Sequence, residues 1–71
     1  MKKDLENIVL ELLSTQPLCG YDLIKALFQK YELIISPGTI YPLLYELEAK
    51  GILKVEIRKG ARTKIYSLAK K

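Results

Sequence analysis

The sequence predicts a mainly α fold closed by a small β-hairpin, and three observations carry that prediction. Three stretches before residue 51 place apolar residues at helical spacing. Two stretches after it alternate at period two. A glycine-containing turn divides those two. The 71 residues suit one domain, 1–71. A chain this short buries only ~60% of its unfolded surface, so 49% hydrophobic residues are needed to close its single core.

The first helix is expected from about Lys3 to Ser14, with Leu5, Ile8, Val9, Leu12 and Leu13 on one face. Asp4 and Glu6 lie in its first turn, where negative charge complements the helix dipole. Leu10 falls off the stripe and reads either as a lone exposed leucine or as part of a second contact surface. Pro17 and Gly20 punctuate the first connection. A second helix follows from about Tyr21 to Tyr31, with Leu23, Ile24, Leu27 and Phe28 as core candidates. In the next connection, Leu33-Ile34-Ile35 is expected to form a short edge strand.

The third helix, Pro37 to Lys50, has its start, buried face and stop written in. Ser36 is a good N-cap, its hydroxyl placed to accept from a first-turn N–H. Pro37 occupies the first helical position, where a missing N–H is harmless. Ile40, Leu43, Leu44 and Leu47 form one apolar stripe, and Gly51 supplies a left-handed stop. The opposite face carries Thr39, Pro42 and Tyr45, with Tyr41 at its border. An exposed face so short of charge suits an element pressed into a groove. Strands are expected at Ile52 to Arg58 and Lys64 to Ala69, joined through Lys59-Gly60-Ala61-Arg62 with Gly60 at positive φ. Three helices plus a two-stranded basic wing is the order of a winged helix-turn-helix.

The charge is one-sided. Gly51 to Lys71 holds seven basic residues against Glu56 alone, a balance of +6. Residues 1–50 hold five basic and seven acidic side chains, a balance of −2. A basic footprint confined to the last third favours a polyanionic partner. Histidine is absent and Cys19 is the single cysteine. That excludes an intrachain disulfide, a nitrogen/sulfur zinc site within one chain and a Ser-His or Cys-His catalytic pair. No enzyme activity, metal or cofactor is expected. No apolar run approaches the ~20 residues that cross a bilayer, and Met1-Lys2-Lys3 leads into Asp4 and Glu6 rather than an apolar signal region. A cytoplasmic location is expected, on the nucleoid of a prokaryote or in a host cytoplasm if the source is viral, with no membrane partner.

Gly20-Tyr21-Asp22, then Ser36-Pro37-Gly38-Thr39-Ile40-Tyr41-Pro42, then Leu44, Leu47, Glu48, Gly51 and Ile52, and finally Lys64-Ile65-Tyr66 with Leu68, follow one pattern. In this the chain resembles the DNA-binding domain of the PadR-like transcriptional regulators over nearly its whole length. It departs at Cys19, where the family often has His, and it stops before the C-terminal helices that usually form the family's dimer. The resemblance implies helix 36–50 in the major groove of double-stranded DNA and wing 58–64 on the backbone or in the minor groove. It also implies Tyr21 against a backbone phosphate, with core packing as the competing role.

Within that frame, Ser36, Gly38 and Thr39 open the helix toward DNA, and the Gly38 and Thr39 N–H groups are available to a phosphate oxygen. Thr39 also suits a thymine methyl. Tyr41 either reaches a phosphate or packs beside Ile40, Pro42 either faces the groove or only bends the helix, and Tyr45 lies on the exposed face. Arg62 is the candidate for a narrow minor groove, flanked by Lys59 and Lys64 on phosphates. The expected function is a sequence-specific transcriptional regulator that acts by occupancy, hence a repressor. It is expected to bind as a homodimer, paired through the first helix near Leu10. No particular small-molecule effector is indicated. Two alternatives stay open: a winged helix that contacts proteins, and a nonspecific nucleic-acid-binding module.

Overall fold

The computed structural model describes residues 2–58, 60 and 63–69, with the side chains of residues 2 and 3 left aside. Helix α1 spans Lys2–Thr15, strand β1 Leu18–Cys19, α2 Gly20–Tyr31, α3 Pro37–Ala49, β2 Leu53–Ile57 and β3 Lys64–Leu68. Three helices thus precede an antiparallel hairpin, as the periodicities require. The sheet has three strands in the order β1-β3-β2. In the wing, Leu53 faces Leu68 and Ile57 faces Lys64.

Apolar faces from every layer meet in one core. Val9, Leu12 and Leu13 come from α1, and Leu23 and Leu27 from α2. The stripe Ile40, Leu43, Leu44 and Leu47 comes from α3, and Leu53 and Tyr66 from the sheet. Two expected positions differ. Phe28 is 56% exposed, because Leu23 and Leu27 already fill the inward face of α2 and Phe28 falls around the helix from them. Leu10 is half-buried and packs against the core rather than standing as a lone exposed leucine.

The edge strand is at 18–19, not at 33–35. Leu18 pairs with Tyr66 and Cys19 with Ile65, which makes β3 the central strand. Residues 32–35 are instead committed to ending α2. Glu32 takes a left-handed conformation at φ 55 and donates its N–H to the Phe28 carbonyl (2.9 Å), while the Leu33 N–H reaches the Leu27 carbonyl (3.2 Å). The Glu32 bond, from a left-handed residue to the Phe28 carbonyl one turn back, is the αL type of helix stop, whose left-handed residue is usually Gly. A side chain there costs about 1–2 kcal/mol. Glu32→Gly is therefore expected to stabilise the fold by up to about 1 kcal/mol after Gly's extra chain entropy is subtracted. Thermal denaturation checks this, and a lowered midpoint would contradict it.

Helix α3 ends as expected: Gly51 sits at φ 80 and the Ile52 N–H bonds back to the Leu47 carbonyl. Gly60 likewise sits at φ 80. The start of α3 differs from expectation. Ser36 has extended N-cap backbone, yet its hydroxyl caps no N–H. The Ser36 carbonyl instead accepts from the Thr39 and Ile40 N–H groups, each at 3.0 Å, while the Ser36 hydroxyl donates toward Thr39 Oγ1 at 3.4 Å.

Tyr66 is wholly buried, and its hydroxyl has no hydrogen-bond partner among the described residues. Burial pushes its pKa up to about 12, with nearby Tyr45, Glu48 and Tyr41 adding to the rise. The unfolded phenol ionises near its ordinary 10.0. The stabilisation from keeping Tyr66 neutral is thus complete below pH 10 and is lost as pH rises through about 12. An orphaned buried donor costs about 1–3 kcal/mol. Tyr66→Phe is expected to leave stability equal or higher at pH 7 and to flatten its alkaline fall in denaturant titrations at pH 8 and 11. A variant clearly less stable at pH 7 would show that the hydroxyl is satisfied.

Candidate nucleic-acid interface

The first two turns of α3 present Pro37, Gly38, Thr39 and Pro42 to solvent, with Tyr45 half exposed one turn on. This face is fixed by its opposite: the four-residue apolar stripe anchors α3 in the core, so the remaining residues must point outward. The Thr39 N–H is taken up by the Ser36 carbonyl, which corrects the expectation that it is free for a phosphate. Pro42 lies inside the helix and donates nothing to the Gly38 carbonyl one turn back.

Beside this face lies a groove of about 340 Å³ lined by Cys19, Tyr21, Tyr41, Tyr45, Thr63 and Lys64. Segments distant in sequence build it: the β1–α2 junction, α3 and the beginning of β3. Gly20 makes the approach close enough. A side-chain carbon at Gly20 would stand 2.5 Å from Tyr41 Cζ and 2.6 Å from its hydroxyl oxygen. The absent side chain thus lets the Tyr41 phenol lie over the N-terminus of α2. Cys19 caps that terminus, its Sγ accepting from the Asp22 N–H at 3.4 Å. The Tyr41 and Tyr45 rings are 6.1 Å apart at a 38° tilt. Lys64 Nζ stands 5.5 Å over Tyr45, and Lys25 Nζ 5.4 Å over Tyr21, both within cation–π range.

Three phenols, a threonine hydroxyl, an ammonium and a helix N-terminus therefore surround one groove. All can donate to, or electrostatically favour, an anionic oxygen. Four of the residues singled out in the sequence converge here: Tyr21, Tyr41, Tyr45 and Lys64. Tyr41 is half-buried: it packs against the core and also lines the groove. Ser36, Gly38, Thr39 and Pro42 do not line this groove but form the adjoining outer face of α3. Lys59 and Arg62 lie outside the described residues. Cys19 and Thr63 are lining residues that sequence reasoning missed. Only the neighbourhood of Thr63 to Lys64 hinted at it, and nothing hinted at Cys19 except its place before Gly20.

At the other end of α3 the charges are held locally. Lys50 pairs with Glu46 at 3.2 Å, and Glu48 is half-buried. A second groove, about 380 Å³, runs along the outer face of α2 between Phe28 and Ile34, the latter 86% exposed. No helix of the described residues is long and apolar enough to cross a membrane.

The sequence profile of the transcriptional regulator PadR-like family matches residues 9–71. The chain is 33% identical over 66 residues to the transcriptional activator GvpE1 of Halobacterium salinarum. That match covers 92% of this chain and 34% of GvpE1, so the chain spans about a third of that curated relative's length. A PadR-like transcription factor from Bacteroides fragilis superposes with a TM-score of 0.87 at 34% identity, over 96% of this chain and 68% of that one. A transcriptional regulator from Clostridium thermocellum superposes at 0.85 and 26% identity, over 90% of this chain and 64% of that one.

Proposed function

Because this chain belongs to the PadR-like family of transcriptional regulators, which are not enzymes, we propose that residues 1–71 act as one domain that binds double-stranded DNA sequence-specifically. In this reading α3 enters the major groove with Ser36, Gly38, Thr39, Pro42 and Tyr45 toward the bases and groove walls. The groove formed by Tyr21, Tyr41 and Lys64 holds a backbone phosphate. Residues 58–64 follow the backbone, with Lys59 on a phosphate and Arg62 reaching the minor groove. The observation that supports it most is the convergence of Tyr21, Tyr41, Tyr45 and Lys64 beside an uncharged, exposed helix face. Phosphate contacts position a protein on DNA and base contacts specify the sequence, and here the two kinds of surface adjoin.

The site is small, since single modules cover only ~600–1,000 Å² of protein surface on DNA. We therefore propose a homodimer on a two-fold-related operator, acting in the cytoplasm on the nucleoid. Occupancy of an operator that overlaps a promoter represses, and repression is the direction we assign. GvpE1 is an activator, so a promoter–reporter assay with and without the protein checks the sign independently of binding. No membrane contact or cofactor enters this reading.

Fluorescence anisotropy on promoter DNA against a scrambled duplex, across a salt series, tests it. The expected preference is about a thousandfold or more. Thr39→Ala and Arg62→Ala should both reduce it. Lys64→Ala should weaken both duplexes alike and lower the salt slope by about one. Equal affinity for both duplexes, collapsing with salt, removes the operator reading and leaves a nonspecific nucleic-acid binder. The apolar groove between Phe28 and Ile34 supports a second reading, a protein-contact module. That module predicts weak DNA binding without sequence preference.

A further inference from the structure

We infer that α3 reads DNA through thymine methyl groups rather than through hydrogen bonds to guanine or adenine. This rests on the DNA-binding reading above and specifies the chemistry it uses. Base edges in the major groove are read in pairs of hydrogen bonds by Arg or Lys on guanine and by Asn or Gln on adenine. The whole of α3, PGTIYPLLYELEA, contains none of these four residue types. Lys50, just past its end, is paired with Glu46 at 3.2 Å. The seven basic residues of the last third all lie beyond Gly51, in the wing and after it.

What the exposed face does offer is hydrocarbon. Pro42 presents a ring without a donor, and Pro37 precedes it on the same helix. Thr39, exposed in the first turn, carries a methyl beside a hydroxyl whose oxygen accepts from Ser36 at 3.4 Å. Threonine methyls and similar apolar groups recognise the 5-methyl of thymine. Glu46 is the one carboxylate of this face, the group that pairs with the cytosine amino group, and its Oε2 is 3.2 Å from Lys50 Nζ. Affinity and base choice are thus separated: cations of the wing hold the backbone, and small apolar groups of α3 choose the base.

The test begins with selection of bound sequences from a random duplex library by the 71-residue chain. In the selected duplex each thymine is replaced in turn by uracil, which lacks only the methyl, and each guanine by 7-deazaguanine, which lacks the N7 acceptor. Loss of one buried methyl corresponds to about a fourfold weakening, and this is expected at one or two thymines facing α3. A 5-methylcytosine at those positions should recover affinity relative to cytosine. Thr39→Ser, which keeps the hydroxyl and removes the methyl, should abolish the uracil effect at one position. Glu46→Ala should leave base preference unchanged. Indifference to uracil combined with a loss at 7-deazaguanine overturns the inference while leaving a sequence-specific binder. A changed preference at cytosine on Glu46→Ala also overturns it. Enrichment of no sequence removes the operator reading, and this inference with it.

Discussion

Gly20→Ala is expected to destabilise the fold by about 1–3 kcal/mol, the usual range for overpacking. It should also weaken duplex binding by about tenfold, the loss of one hydrogen bond to a charged group. The new methyl would meet the Tyr41 ring at 2.5 Å, far inside contact distance. Either the ring swings away, which removes the phenol from the groove, or α2 and α3 separate, which opens the core. The two routes differ in a double-mutant cycle. If the clash is with the ring alone, Tyr41→Ala made together with Gly20→Ala should recover much of the stability but none of the DNA affinity. Urea denaturation gives the first quantity and anisotropy the second. A Gly20→Ala protein with unchanged stability and affinity would mean that Tyr41 does not lie over the α2 terminus in solution.

Pro42→Ala should move stability and binding in opposite directions. A proline inside a helix is about 3 kcal/mol worse than alanine, and this one leaves the Gly38 carbonyl without its helical donor. Neighbouring structure has adapted to it, so a gain of about 1–2 kcal/mol is expected on replacement, seen as a rise of about 4–8 °C in Tm for each kcal/mol. The same change strips a hydrocarbon ring from the exposed face and should lower affinity by about fivefold. Opposed effects identify a residue kept for contact at the expense of the helix. A parallel loss of both would make Pro42 a structural bend and nothing more.

Helix α3 was legible because every signal that defines it is local: a proline at its first position, four apolar residues at helical spacing, and Gly51 after its end. The wing was legible for the same reason. The edge strand was not. Residues 18–19 carry no strand signal of their own and are a strand only because Tyr66 and Ile65 lie beside them. Leu33-Ile34-Ile35 has the composition of a strand, but the left-handed Glu32 and the bonds from Glu32 and Leu33 back to the last turn use the start of that segment to end α2. Phe28 was misplaced because a helical stripe gives a direction, not its width. The groove could be foreseen residue by residue but not as a groove. That Tyr21, Tyr41 and Lys64 share one wall depends on Gly20 lying under Tyr41, a contact between two helices.

The two-residue bridge of β1 to β3 bears on how the protein comes into being. It ties the start of α2 to β3, the last strand of the described residues, with Leu18 against Tyr66. Such a closure spans most of the sequence, and contacts of that separation form late because the loop entropy is lost before the contact repays it. The helices can associate earlier, but Cys19, Tyr21 and Tyr45 have no Thr63 or Lys64 to face until the hairpin has docked. On the ribosome, the phosphate-binding groove is therefore completed only after residue 66 has emerged. A nascent chain lacking β3 is short of the core residue Tyr66 as well as of the groove wall at Thr63 and Lys64, so core closure and affinity for nucleic acid arrive together, and an arrested or truncated chain is not expected to compete for the operator.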